Sequence, residues 1–169
     1  NNNSIHFTPD ENFFYGEQVT VSLSKGIKDL QGNYLQTGFA WNFWTRTLSA
    51  SMSLERTSTI NVRQPGESWI QTYGTYAGDL DGDGWSDFIV PNEIAADIRV
   101  FMNDQNGSYN NFTIFNITGG SRPSTNEGFD YNLDGLMDFT CGNSQNNQVT
   151  VFTGDGTGSF SDIQNYNAD

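Results

Sequence analysis

Short runs of alternating apolar and polar residues predict β-strands along most of the chain. In the first part, residues 19–23 and 39–44 show the period-two pattern of half-buried strands. The residues between them, 26–32, include two glycines and suit a connecting loop. Strong helix formers are scarce and β-formers are common, so the pattern predicts an all-β chain.

A repeated acidic stretch dominates the second part of the chain. The sequence at 79–87 recurs at 130–138, and the same 51-residue offset places Phe88 onto Phe139 and Asp104 onto Asp155 without a gap. Self-similarity at this period is typical of propeller blades and other stacked arrays.

Each repeat unit reads as a strand, an acidic loop and then three strands joined by turns. The strands that the pattern places most clearly are at 88–90, 98–102, 112–115 and 149–152. Gly-containing turns follow at 103–107 and 154–158. A meander of about four short strands is the makeup of a propeller blade.

The two acidic loops have the composition of calcium sites, because Ca²⁺ takes six to eight oxygen ligands from tight loops. In the first loop the candidate ligands are the carboxylates of Asp79, Asp81, Asp83 and Asp87 and the backbone carbonyl of Trp85. In the second loop they are Asp130, Asn132, Asp134 and Asp138 and the carbonyl of Leu136. Gly84 and Gly135 stand where each loop must turn sharply, and we expect positive φ there.

Crowded carboxylates repel one another strongly unless a cation lies among them, which is the physical argument for a metal. Asn132 replaces a carboxylate by a neutral amide, so the second of two Ca²⁺ sites is predicted to be weaker. Mg²⁺ is disfavoured because it demands stricter octahedral geometry and keeps its water.

Two alternatives to this metal site remain. An EF-hand needs a Glu at position twelve and flanking helices, whereas Val90 and Cys141 stand at that position here and the flanks are β-like. The other alternative is a solvated acidic turn without metal. A match at two places with the same spacing argues against it.

The repeat units resemble FG-GAP/VCBS repeats, the calcium-loop blades of integrin α-subunit propellers and of many bacterial secreted proteins. The resemblance rests on residues 78–90 and 100–109, and it covers roughly residues 65–165. Leu133 departs from the pattern, since the family usually has glycine there. The resemblance implies blades at about 65–117 and 118–169 of an incomplete β-propeller, within a region 49–169.

Residues 1–48 resemble the C-terminal part of a bacterial Ig-like domain. The similarity is carried by residues 7–9, 15–23, 26–35 and 41–45. An Ig-like sandwich normally needs about seven strands, and a closed propeller about four to eight blades. We therefore expect this chain to be a fragment of a longer protein, with the propeller completed by the rest of that protein or by another chain.

Composition narrows the classes of partner. The 20 acidic residues against 7 basic ones give a net charge of −13, which disfavours nucleic acid and anionic membranes. The only cysteine, Cys141, excludes an intrachain disulfide and is interpreted as a small, partly buried side chain within a strand. No apolar run is long enough to span a bilayer.

The sequence contains no recognisable catalytic centre. The only histidine, His6, lies far from both acidic loops, and a Gly-x-Ser-x-Gly motif is absent. The tryptophans could stack on sugars, but the core is the expected place for them. They are Trp41, Trp44, Trp69 and Trp85.

These observations favour a calcium-stabilised adhesion or recognition module of a secreted or cell-surface bacterial protein. It is predicted not to be an enzyme itself. Its ligand would be a surface glycan or a protein, and neither nucleic acid binding nor membrane insertion is expected. The alternatives are an accessory, non-catalytic region of a secreted hydrolase, and a passive spacer or secretion passenger.

Overall fold

The computed structural model describes residues 4–120, 122–124 and 127–168, which form eleven β-strands and no helix. The all-β prediction is therefore confirmed. The described residues contain no helix that could cross a membrane. The strands are β1 (Gln18–Leu23), β2 (Phe39–Trp44), β3 (Tyr76–Gly78), β4 (Asp87–Asn92), β5 (Asp97–Phe101), β6 (Thr113–Asn116), β7 (Pro123–Ser124), β8 (Gly128–Phe129), β9 (Asp138–Asn143), β10 (Gln148–Gly154) and β11 (Phe160–Asn167).

The first sheet is an antiparallel pair with two chemically different faces. Strands β1 and β2 pair with Val19 opposite Phe43, Val21 opposite Trp41 and Leu23 opposite Phe39. Because directly opposed residues point to the same side of a sheet, these six side chains form an apolar face. The other face carries Gln18, Thr20 and Ser22 of β1, opposite Trp44, Asn42 and Ala40 of β2.

The repeat units form two antiparallel meanders, as their sequence pattern predicts. The sheet of the first repeat unit has the strand order β3-β4-β5-β6. The sheet of the second repeat unit has the strand order β11-β10-β9-β7, and β8 also pairs with β9. Strands β7 and β8 pair with different ends of β9, so together they take the place that β3 has in the first meander.

One apolar core joins the two meanders. Its buried members are Leu80, Ile89, Ile98, Val100 and Ile117 from the first unit and Phe139, Cys141 and Phe152 from the second. Rings also meet across the units, with Tyr76 at 5.8 Å from Phe139 and Phe115 at 5.0 Å from Phe160 between centroids. Each unit thus buries its apolar face against its neighbour, as stacked repeats do.

Cys141 lies at the centre of this core, in β9, with no exposed surface. Burial raises the pKa of its thiol to about 12, so the reactive thiolate is suppressed at neutral pH. Cys141 is thus a strand residue, as interpreted, and it is fully buried where partial burial was predicted.

A buried arginine fastens the segment before β3 to the first meander. Arg99 on β5 has no exposed side-chain surface, and its guanidinium bonds Glu67 at 2.6 and 2.7 Å and Asp97 at 3.1 Å. It also donates to the Val62 carbonyl at 2.5 Å. A buried cation needs such paired acceptors, so residues 62–67 are held against a sheet that they do not join.

We expect Glu67→Gln to lower the melting temperature in a pH-dependent way. The Arg99 guanidinium holds the pKa of Glu67 well below its usual value of 4.5, at about 2. A lowered pKa in the folded state contributes stability that is complete above the unfolded pKa and is lost as pH falls toward the folded one. The parent should therefore melt higher than the variant at pH 7, and the difference should shrink between about pH 4.5 and 2.

Thermal unfolding of both proteins across this pH range measures the effect. Glu55→Gln is the control, because Glu55 is exposed. A difference between parent and Glu67→Gln that stays constant with pH would contradict the ion pair.

Candidate metal centre

Both acidic loops connect the first strand of a meander to the second. The first loop leaves β3 at Gly78 and enters β4 at Asp87, and the second leaves β8 at Phe129 and enters β9 at Asp138. As predicted, Gly84 and Gly135 have φ of +87° and +94°. This left-handed conformation is one that glycine adopts without steric cost.

The first aspartate of each loop accepts hydrogen bonds from the loop's own backbone. Asp79 Oδ1 accepts from the Asp83 N–H at 3.1 Å, and Asp79 Oδ2 accepts from the Gly84 N–H at 2.9 Å. In the second loop, Asp130 accepts from the N–H groups of Asp134 and Gly135 at the same two distances. The sequence repeat is therefore also a repeat of loop conformation.

The last aspartate of each loop is buried and joins the loop to the neighbouring hairpin. Asp87 accepts from the Leu80 and Asn103 N–H groups, both at 2.9 Å. Asp138 accepts from the Tyr131 N–H at 2.8 Å and the Gly154 N–H at 2.9 Å. Each carboxylate thus satisfies two backbone donors that would otherwise be unpaired in the interior.

Three carboxylates of the first loop converge on one point. Oxygens of Asp79, Asp81 and Asp87 all lie within 4.8 Å of one another. At a Ca–O distance of 2.3–2.6 Å, two oxygens on opposite sides of one Ca²⁺ are about 5 Å apart, so the group fits this ion. The oxygen-only donor set is also the one that a hard cation prefers.

Two acidic groups of the first loop lie where their charged forms are disfavoured. Burial and the nearby carboxylates raise the pKa values of Asp81 and Asp87. A raised carboxyl pKa means that the charged form is disfavoured in its surroundings. A cation bound among these groups would favour the charged form and would compete with protons for it.

The structure does not bring Asp83 into the converging group. Its Oδ1 accepts from the Trp85 N–H at 2.8 Å, and its Oδ2 accepts from the Gln105 side-chain amide at 3.0 Å. The predicted role of Asp83 as a ligand, and those of the Trp85 and Leu136 carbonyls, stay predictions.

The second loop satisfies part of its own charge. Asn132 stands where the first loop has Asp81, and its amide donates to Asp134 Oδ2 at 2.9 Å. Asp134 Oδ1 accepts from the Leu136 N–H at 2.8 Å, just as Asp83 Oδ1 accepts from the Trp85 N–H in the first loop. Burial raises the pKa of Asp138, as it does for Asp87. One carboxylate fewer leaves less negative charge for an ion to neutralise.

Leu133 marks a second difference between the loops. It adopts φ of +64°, and Gly82 has φ of +78° at the corresponding position of the first loop. For a residue with a Cβ, this conformation costs roughly 1–2 kcal/mol. The backbone explains why the family favours glycine here, and the second loop carries strain that the first loop lacks.

A cleft of about 660 Å³ separates the polar face of the β1–β2 sheet from both acidic loops. Gln18, Thr20, Ser22 and Trp44 line one side, and the other side includes Asp79, Asp81 and Asp130. No lysine or arginine lines it among the described residues.

The tryptophans do not lie in the core, so that expectation was wrong. Trp41, Trp44, Trp69 and Trp85 are 39–65 % exposed. The core is instead filled by Phe, Ile, Leu, Val and Cys141 of the two meanders. Trp44 points toward the cleft because it shares a face with Thr20 and Ser22.

The fold and the loops define an all-β protein in which a two-stranded sheet precedes repeat units with acidic loops. Residues 79–141 match the family profile of the FG-GAP-like repeat, and residues 1–45 match that of a bacterial Ig-like domain. Both resemblances drawn from the sequence are confirmed, while VCBS similarity and the domain boundaries stay predictions. No curated protein and no solved structure matches the chain.

Sequence analysis missed the groups outside the loops that complete these sites. The N–H groups of Asn103 and Gly154 bond the last aspartates, Gln105 bonds Asp83, and the Ser22 hydroxyl bonds Asp130. Asn103 and Gly154 share the 51-residue offset, which was the one available signal. Nothing in the sequence indicates Ser22, since it belongs to the other part of the chain.

We expect Asp87→Ala and Asp81→Ala to separate structural from metal-binding carboxylates. In chelator, Asp87→Ala should destabilise by about 1–3 kcal/mol, because it leaves buried N–H donors without an acceptor. Asp81→Ala should change stability by less than about 0.5 kcal/mol, because Asp81 is exposed and Asp79 also accepts from the Asp83 N–H. Denaturant unfolding in excess chelator measures both, and equal losses in the two variants would contradict the assignment.

Proposed function

We propose that this chain is a calcium-stabilised recognition module of an extracellular or surface protein, in which Ca²⁺ holds the scaffold rather than taking part in a reaction. The observation that carries the proposal is the convergence of Asp79, Asp81 and Asp87 in a loop whose hydrogen bonds recur in the second unit. The matched families are of non-catalytic types and suggest an extracellular or surface location.

The ion acts by relieving the strain among clustered carboxylates. Without it, the exposed Asp81 and the almost fully buried Asp87 lie close to each other and to Asp79, and burial together with the neighbouring carboxylates raises the pKa values of both. With it, the same oxygens become ligands, and the free energy of ion binding adds to the stability of the folded state. FG-GAP repeats often bind calcium, which supports this assignment.

The second loop is proposed as a weaker calcium site. Asp130, Asn132, Asp134 and Asp138 occupy the ligand positions there, and the neutral Asn132 removes one charge. Attraction between a carboxylate and Ca²⁺ is stronger than that between an amide and Ca²⁺, so affinity should follow the charge count.

Calcium should raise the melting temperature, and a chelator should reverse the rise. At a free calcium concentration one hundred times the dissociation constant, one site adds about 2.7 kcal/mol. Isothermal titration should resolve a tighter and a weaker site, with Asp81→Asn weakening the tighter one and Asn132→Asp strengthening the weaker one.

Magnesium at the same concentration is the control for ionic strength and should give a smaller rise. An unchanged melting temperature in millimolar calcium would show that calcium does not stabilise the protein. A single site that Asn132→Asp leaves unaffected would restrict calcium to the first loop.

The cleft is the proposed recognition surface, and a neutral saccharide is the ligand that its chemistry favours. Trp44 presents an indole that is 65 % exposed, and indoles stack on the apolar faces of sugar rings. Gln18, Thr20 and Ser22 offer donors and acceptors for hydroxyl groups on the same side. The absence of Lys and Arg among the described lining residues disfavours an anionic ligand.

A glycan array followed by titration with the best neutral oligosaccharide tests this assignment. Binding should be lost in Trp44→Ala and kept in Trp69→Ala, since Trp69 is also exposed but does not line the cleft. An oligolysine peptide is the competing probe, because acidic and aromatic side chains also attract cations. Tight binding of the peptide that calcium abolishes would show that the ligand of the cleft is a cationic peptide and not a saccharide.

An array without any ligand would favour the alternative roles. These are an accessory region beside a catalytic domain of a secreted hydrolase, and a passive spacer or secretion passenger. The remainder of the parent protein, or another chain, is the proposed partner that completes the propeller.

A further inference from the structure

The two acidic loops share a left-handed backbone conformation at Gly82 and Leu133 but differ in the side chain there. The side chain of Leu133 contacts the Ig-like part of the chain. Gly82 in the first loop has open space around it, with nothing within 4 Å of where a Cβ would lie. Its counterpart Leu133 takes the same left-handed backbone conformation but carries a large side chain. Strain of this kind persists only where the surroundings compensate for it.

The compensating contact is made by Gly38, which directly precedes β2. The Leu133 side chain fills the space beside it, so a Cβ at Gly38 would collide with Leu133 Cδ1 and would lie 3.0 Å from the Leu23 carbonyl oxygen. Gly38 is the one buried residue among the described residues from 4 to 79. The Leu133 side chain of the second repeat unit thus packs into the space that the missing side chain of Gly38 leaves in the Ig-like part.

A polar contact stands beside this apolar one. The Ser22 hydroxyl on β1 donates to Asp130 Oδ2, the first carboxylate of the second loop. In the first loop, the backbone N–H groups bonded to Asp79 come from Gly82, Asp83 and Gly84 of the loop itself. Both contacts of the second loop lead to the same end of the strand pair, where β1 ends and β2 begins.

We propose that the second acidic loop is the docking site for the β1–β2 sheet of this chain, with Leu133 and Gly38 as the fitting pair. The docking fixes the orientation of the sheet over both acidic loops and thereby sets the width of the cleft. The Leu133–Gly38 contact involves no proposed calcium ligand side chain, whereas Ser22 bonds Asp130, which is also a proposed ligand of the second site. The apolar contact is therefore the one expected to hold the sheet with or without the ion.

Distance measurements between two spin labels test the docking in the full chain. Gln31→Cys and Ser161→Cys place labels at exposed positions on the sheet side and on the second meander, while Cys141 is buried and stays in place. The parent should give one narrow distance peak in chelator and in calcium. Leu133→Gly and Gly38→Val should each lose the narrow peak and give a broad distribution.

Two further variants distinguish docking from loop stability. Gly82→Leu introduces the same strained residue in the first loop and should lower the melting temperature but keep the narrow peak. Leu133→Met keeps a long apolar side chain and should keep the peak as well. A narrow, unshifted peak in Leu133→Gly, a variant that relieves backbone strain and so folds, would overturn the proposal.

Discussion

A buried carboxylate at the start of the second strand ties each acidic loop to its meander. Asp87 and Asp138 each accept one or two N–H groups from the beginning of their own loop with one oxygen and an N–H from the end of the adjacent hairpin with the other. Both are almost fully buried, at 1 % exposure. Because the two oxygens of one carboxylate bond two distant backbone segments, the loop cannot change shape without disturbing the sheet below it.

This arrangement has an electrostatic consequence that gives the loops their chemistry. Burial raises the pKa of Asp87, and the nearby Asp79 and Asp81 raise it further. The fold therefore holds negative charge where charge is disfavoured, and a hard cation is the simplest group that offsets it. The structural role of the carboxylate and its proposed role as a ligand arise from the same position in the loop.

The two repeated loops differ in how they offset the negative charge of their carboxylates. In the first loop three carboxylates converge, and two of them, Asp79 and Asp81, line the cleft, while Asp87 is buried. The second replaces one of them by Asn132, which bonds Asp134, and turns Leu133 and Asp130 toward the Ig-like part. The same loop pattern is thus proposed to bind an ion in both units and, in the second unit, also to contact the β1–β2 sheet.

The sequence by itself predicted both acidic loops and six of the eleven described strands, β1, β2, β4, β5, β6 and β10, because period-two alternation, turn glycines and a gapless 51-residue repeat can be read directly from the chain. The families followed from the resemblance of its motifs to known repeats and Ig-like domains. It also located the positive-φ glycines, Gly84 and Gly135, and the unusual Leu133. Tertiary structure decided which groups meet: that Asp83 bonds Gln105 rather than joining the other carboxylates, that the tryptophans are exposed, that Arg99 is buried, and that Ser22 reaches Asp130. These outcomes depend on how sheets pack across long separations in the chain, and alternation along a single strand carries no information about that packing.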